Sequence, residues 1–516
     1  MPSPDLLILG LTQDANSKVV GSSLGRTAMY SMLGRVTYNY DSKYLLTANF
    51  RRDGSANFSK SNRYGNFPSF SAAWRLSREN FMKNLTFIND LKLRGSYGKL
   101  GNSDISPYQY QSTVTFDHVW YYLNDIKVVG ALPTMPSNPN VKWESQYSTD
   151  LGMDLSMFNN RLSFTMDYYN KKTEEMLVNV PISYAVGYGD NFPTLNSGSI
   201  SNKGFEFAAT YNKREGRFNY SLSANISTVK NKVLNLGNKN EILAGGVSPG
   251  GENVTRTAVG HAIGQFWGYK TDGLYKTEAQ LEADKSFAPN AALGDVKFVD
   301  KNDDGILNAD DKDFIGNPIP KFSYGFNSNF SYAAGFGTLD FSMIWQGSYG
   351  NDIYNNGRYW GEGMYHYYND YASTLDRYRS QEVIFKNPVS GVTTVYPKNT
   401  ETNIPRAILG DPNHNLSASD RFVEDGSYLR LKSLTIGYTL PNALVSRWKV
   451  DKLRIYIGGK NLLTFTKYTG YDPEVASDNG ANGGRYNLVR GIDEMTPWGI
   501  TFANSREVFL GIQCSF

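Results

Sequence analysis

The feature that most limits what this chain can fold into is a strict alternation of apolar and polar side chains, sustained over about ten residues and repeated along most of its length. From Lys43 to Arg51 one face carries Tyr44, Leu46, Ala48 and Phe50, and the other carries Lys43, Thr47, Asn49 and Arg51. Arg161 to Tyr169 repeats the pattern with Leu162, Phe164, Met166 and Tyr168 against Arg161, Ser163, Thr165 and Asp167. Phe218, Tyr220, Leu222, Ala224 and Ile226 alternate in the same way with Asn219, Ser221, Ser223, Asn225 and Ser227. A period of two is the period of a strand, because successive side chains leave a pleated backbone on opposite sides. A soluble sandwich turns its polar face to water, whereas a wide barrel turns its apolar face to lipid and lines a wet lumen with the other. Alternation alone leaves both open.

Connection lengths separate them. Strands read at 26–40, 43–53, 67–76, 90–99, 147–157, 161–170, 203–212, 217–228, 321–332, 338–348, 427–439, 452–468 and 506–516 number about thirteen. Asp41-Ser42, Asn159-Asn160, the turn from Lys213 to Gly216 and the turn from Ala334 to Gly337 are tight, with somewhat longer caps at 77–89 and 440–451. Between them fall long segments at 54–66, 100–146, 171–202, 229–320, 349–426 and 469–505. Short turns at one end and long loops at the other match short periplasmic turns and long extracellular loops, whereas a sandwich has no reason to sort loops by end. The predicted fold is all-β, an antiparallel transmembrane β-barrel.

Composition agrees. Aromatic residues make up 14% of 516 and stand beside 49 glycines, a pairing suited to strands and turns. A net charge of +3 without a basic block argues against a nucleic-acid partner. The single Cys514 excludes an internal disulfide, and His118, His261, His366 and His414 lack metal-ligand spacing. The apolar run Leu6 to Leu9 is too short for a membrane helix and lacks the basic flank of a signal peptide. At the other end Val508, Leu510, Ile512, Cys514 and Phe516 share one face, so an apolar stripe closes on an aromatic residue, which marks Phe516 as a candidate assembly signal.

Several blocks make the chain similar to the SusC/RagA family of TonB-dependent outer-membrane transporters from Bacteroidetes-type bacteria. They are NRYGNFPSFSAAWRLSRENFM at 62–82, INDLKLRGSYGKLGN at 88–102, NPNVKWESQYSTDLGMDLSMFNNRLSFTMDYYNKKTEEML at 138–177, DRFVEDGSYLRLKSLTIGYTLP at 420–441 and LRIYIGGKNLLTFTKYTGYDPEV at 453–475. The resemblance implies a parent barrel of about 22 strands around a plug, of which this chain supplies about 13 C-terminal strands. On this reading 1–25 is an irregular leading segment or the end of a truncated loop, and 26–516 a partial barrel without plug or signal peptide, transport-incompetent alone. The implied partners are a SusD-like surface lipoprotein, the TonB complex acting through an N-terminal region, outer-membrane lipid and lipopolysaccharide, and an oligosaccharide or peptide substrate. No bond chemistry and no required cofactor are implied.

Local motifs add three readings. DKNDDGILNADD places Asp300, Asn302 and Asp304 at positions 1, 3 and 5 of a calcium loop, Gly305 at the sharp turn, the Ile306 carbonyl at 7 and Asp311 at 12. The alternative is a polar turn whose side chains bond their own backbone. Tyr354, Tyr359, Trp360, Tyr365, Tyr367, Tyr368 and Tyr371 crowd one long loop, either as a substrate-stacking platform or as a membrane-interface girdle or packing within the loop. Gly21-Ser22-Ser23-Leu24-Gly25 matches a hydrolase elbow formally, but a period-two strand follows where a helix is required. Glu174-Glu175 reads as solvated charge, not a glycosidase pair. The rival classes are a secreted β-rich glycan-binding or adhesin module and a β-rich glycosidase.

Overall fold

The computed structural model describes residues 27–107, 109–115, 120–179, 194–237, 241–247, 252–364, 370–474, 491–493 and 504–516. The leading segment at 1–25 and its Gly-Ser-Ser-Leu-Gly motif lie outside them. Thirteen long strands follow in chain order: β1 (Met29–Tyr40), β2 (Tyr44–Ser55), β3 (Tyr64–Arg75), β4 (Ile88–Asn102), β5 (Glu144–Met157), β6 (Leu162–Glu174), β7 (Ser199–Lys213), β8 (Phe218–Thr228), β9 (Phe322–Ala334), β10 (Gly337–Tyr349), β11 (Tyr428–Thr439), β12 (Lys452–Thr466) and β13 (Glu507–Ser515). Their order in the sheet is their order in the chain, and Lys230–Asn235 joins as a side strand on β7. β1 and β13 stand at the two ends of that order. Among the described residues no helix is long and apolar enough to cross a membrane.

Packing divides the chain into Met1–Trp74, Arg94–Leu151 and Asn170–Ile200 as one unit, and Arg75–Leu93, Gly152–Tyr169 and Ser201–Phe516 as another. In the first unit, Asp41 and Ser42 both take positive φ, 49° and 52°, and the Lys43 N–H donates to the Tyr40 carbonyl at 2.9 Å. Such a two-residue loop matches the twist of the strands it joins. Register then sorts the faces. Tyr38, Leu46 and Ala72 are cross-strand partners, as are Val36, Ala48 and Phe70, and Val36 and Phe70 are 71% and 58% exposed. Tyr40, Tyr44 and Trp74 stack as an aromatic row beside the turn, with ring centroids 6.3 and 6.4 Å apart. On the opposite face Arg35 Nε donates to Asn49 Oδ1 at 2.6 Å, and Asn49 Nδ2 donates to Ser69 Oγ at 3.1 Å. A greasy outer face ending in an aromatic girdle, backed by a hydrogen-bonded polar face, is the barrel arrangement.

The second unit repeats the scheme. Phe218, Tyr220, Phe330 and Phe341 form an aromatic row near the turn end of β8 to β10, while Thr210 and Ser223 hydroxyls bond across the strands at 3.0 Å. Gly437 in β11 leaves room for Arg454 Nε to reach Asp340 Oδ1 at 2.9 Å; a Cβ there would stand 2.6 Å from that carboxylate oxygen.

The long segments at 229–320 and 349–426 fold instead of trailing. The strands Glu241–Val247, Asn253–Ala258, Gln265–Tyr269 and Lys312–Gly316 make a four-stranded sheet. Tyr269, Leu274, Tyr275, Phe287, Ala288, Val296, Phe298 and Tyr378 form a core beneath it, with Tyr378 contributed by the second loop. Arg406 grips the fully buried Asp295 with Nε and Nη2 at 2.8 and 2.9 Å, joining the two loops.

Candidate functional site

Three short strands tie three loop segments of the second unit together. Asp352–Asn355 pairs antiparallel with Val423–Asp425 and parallel with Ile492–Asp493. The helix Asn356–Glu362 follows at once and brings Arg358 and Glu362 to one face, one turn apart. Arg358 Nε and Nη2 meet the two Glu362 oxygens at 3.0 Å each, and Arg421 Nη2 donates to Glu362 Oε2 at 2.6 Å. Glu424 lies 3.6 Å from Arg358 Nη1 and accepts from Asn355 Nδ2 at 3.0 Å and from the Thr469 N–H at 2.8 Å. Burial pulls the Arg421 guanidinium down to about 10, with Glu362 acting in the opposite direction, so it stays charged at neutral pH.

A cavity of about 790 Å³ opens against this network, lined by Asn355, Arg358, Glu362, Tyr371, Ser373, Ile404, Glu424, Asp425, Lys467, Thr469, Gly470, Tyr471 and Asp493. Gly361 lets the Tyr371 ring lie directly on the helix, since a Cβ there would sit 2.6 Å from three ring atoms. Asp493 is only 2% exposed and accepts the Tyr468 hydroxyl at 2.6 Å. Burial raises its carboxyl above the usual range, and Asp472 and Glu424 add to that, while the Tyr468 bond opposes it. The site therefore combines two rings, a balanced buried ion network and one carboxyl set apart from it. A cavity of this size with few, convergent polar groups suits binding of a small ligand or one residue of a larger one.

The structure sorts the aromatic candidates. Tyr371 lines the cavity, but Tyr354 and Tyr359, at 1% and 3% exposure, do not form an open platform. Tyr354 packs between Phe266 and Phe422 at 5.9 Å from each, and Tyr359 against Trp360 and Phe422, because rings on a segment held between two other strands bury more area inward than outward. Trp360 is half-buried, and Tyr365, Tyr367 and Tyr368 lie outside the described residues. Arg358, Glu362 and Asp493 carry no sequence motif, and Glu424 and Tyr471 lie inside the blocks at 420–441 and 453–475 without a signal that marks them as site residues.

In the candidate calcium loop several carboxylate oxygens accept backbone N–H groups, while Asp300 Oδ1 is buried without a hydrogen-bond partner among the described residues. Asp300 Oδ2 accepts the Gly305 N–H at 2.8 Å, Asp304 Oδ1 the Ile306 N–H at 2.8 Å, and Asp311 the N–H groups of Lys301 and Asn308 at 3.1 and 2.8 Å. Asn302 Oδ1 accepts the Asp304 N–H at 3.1 Å, and Gly305 turns the chain at φ +72°. Among the described residues no group of three or more His, Cys, Asp or Glu is gathered to hold a metal. Phe516 is 87% exposed beyond β13, where Val508, Leu510 and Ile512 keep one exposed apolar face.

An antiparallel sheet of alternating strands with folded loops is the wall of an outer-membrane-type barrel. The family described as TonB dependent receptor-like, beta-barrel matches residues 10–462. TonB-dependent receptor P3 of Formosa agariphila is 35% identical over 500 residues, which cover 96% of this chain and 46% of that protein. TonB-dependent receptor SusC of Bacteroides thetaiotaomicron is 28% identical over 472 residues, covering 89% of this chain and 42% of that one. The structure of the RagAB peptide transporter aligns over 100% of this chain and 50% of its own, with a TM-score of 0.74 and 25% identity. The chain belongs to the TonB-dependent receptor β-barrel family, in its SusC/RagA branch. It spans about half the length of the curated relatives it matches.

Proposed function

We propose that this chain is the wall and loop assembly of an outer-membrane, TonB-driven importer that takes up an oligosaccharide or peptide with a SusD-like surface lipoprotein. The observation that carries the reading is the polarity of the sheet: tight turns at one end, and at the other a folded loop body holding the 790 Å³ cavity. A ligand captured among those loops stands above strands of the same unit whose polar face bears Thr210 and Ser223. Import then runs by TonB pulling a plug within the complete transporter, with the barrel breaking no bond. A secreted adhesin or glycosidase would leave Val508, Leu510 and Ile512, each more than two-thirds exposed, as an apolar face in water.

The test is cysteine labelling of intact cells in a Cys514→Val background. An impermeant maleimide is expected to label a cysteine at position 302, among the loops, and not one at position 41, in a tight turn. Labelling at 41 alone, or protein recovered in the medium without detergent, overturns the importer reading. Loss of growth on the transported peptide or oligosaccharide when TonB or the adjacent lipoprotein is deleted is the expected companion result.

A further inference from the structure

We infer that the loop cavity is a receptor site for an ammonium group, with the Asp493 carboxylate as its counter-charge and the Tyr371 and Tyr471 rings as its walls. The inference rests on the importer reading and names the ligand chemistry of that site.

The two arginines of the site are committed elsewhere. Arg358 is spread over Glu362 and Glu424, and Arg421 is held by Glu362. Lys467 lines the rim and is exposed. Asp493 is different. It is 98% shielded from solvent, lines the cavity, and among the described residues its partner is a neutral tyrosine hydroxyl. Asp472 and Glu424 are the charged groups that act on its carboxyl, and both disfavour its ionised form. A buried carboxylate without a cation is costly, and a ligand cation relieves that cost far better than a neutral hydroxyl does.

The rings point the same way. Tyr371 is held half-buried on Gly361, and Tyr471 is 64% exposed at the opening. Electron-rich faces beside a carboxylate form the surroundings in which alkylammonium groups are recognised. The group has two sources within the proposed substrate classes: a lysine side chain or N-terminus of a peptide, or an amino sugar of an oligosaccharide. At about 790 Å³ the cavity accommodates either as a terminal residue with its neighbour.

The experiment uses protein extracted from outer membranes in detergent, with heat-modifiable gel migration confirming that each variant is folded. Calorimetry measures binding of trilysine against fully acetylated trilysine, and of a glucosamine trimer against its N-acetylated form. The expected result is that one charged probe binds at least tenfold more tightly than its acetylated partner. Asp493→Asn, which keeps the shape and the Tyr468 contact, should erase that preference. Tyr471→Ala, at an exposed position, should weaken the charged probe several-fold and so tests the site even if Asp493→Asn misfolds. The pair showing the preference identifies peptide or amino sugar. Equal or absent binding of charged and acetylated probes, or a preference that survives Asp493→Asn, overturns the inference. A barrel that labels at 302 on intact cells yet ignores ammonium loses this inference alone, whereas reversed labelling removes the importer reading itself.

Discussion

Arg430 gives the sharpest energetic test of how the loops are held. It sits at the start of β11 with 3% exposure and reaches Asp472 with Nη2 at 2.6 Å and Nη1 at 3.3 Å. Nη1 also pairs with Glu474, and Nε donates to Thr464 Oγ1 at 2.9 Å. Arg430→Met keeps much of the volume and removes every one of these donors. Glu474 retains Lys432 at 2.6 Å and the Tyr428 hydroxyl at 2.8 Å, but Asp472, 5% exposed, is left with the N–H groups of Glu474 and Asn504. Orphaning one side of a buried ion pair costs about 3–5 kcal/mol. Because Asp472 and Glu474 lie on the segment after β12, that energy appears as local opening, a rise of about a hundredfold or more. Hydrogen exchange of the amides from Tyr468 to Glu474 reads it directly. Arg430→Lys should fall between, since one ammonium cannot reproduce the forked contact. Adding Asp472→Asn to Arg430→Met should recover part of the loss, because the orphaned charge is then gone. Wild-type exchange rates in Arg430→Met would refute the reasoning.

The same loops carry opposite pH signatures. Burial works to raise the Asp472 carboxyl, but Arg430 and two N–H groups outweigh it and hold it below the usual range, so its contribution is present above about pH 4 and lost as pH falls through the folded value. Asp493 is shifted upward, so its folded state binds more protons and stability falls as pH rises past about 4; Asp493→Asn should melt higher than wild type at pH 7 and equally at pH 3.5. Asp300, Asp304 and Asp311 already spend oxygens on backbone N–H groups, so proteolysis at 300–311 is expected to proceed alike in calcium and in chelator; calcium protection abolished by Asp304→Ala would establish the cation site instead. Phe516→Asp should lower outer-membrane insertion of the complete transporter without changing its expression, and Cys514→Val should be silent; normal surface levels of the Phe516 variant would remove the assembly role.

Strand number, strand position and the two faces were legible in the sequence because a pleated backbone sends neighbouring residues to opposite sides whatever surrounds it. Lys43 to Arg51 could alternate as it does only as a strand with one greasy and one polar face, and Asp41-Ser42 could close only as a tight turn. The loop body was another matter. Tyr354, Tyr359 and Tyr371 look alike in the sequence, yet two are walled in by Phe266, Phe422 and Trp360 while the third lines a cavity. That difference is decided by strands at 352–355, 423–425 and 492–493 meeting in one sheet, and nothing periodic records such a meeting. Arg358, Glu424, Tyr471 and Asp493 become a site for the same reason. Their separation along the chain is large, and only tertiary packing brings their charges within the few ångströms at which they set one another's energies.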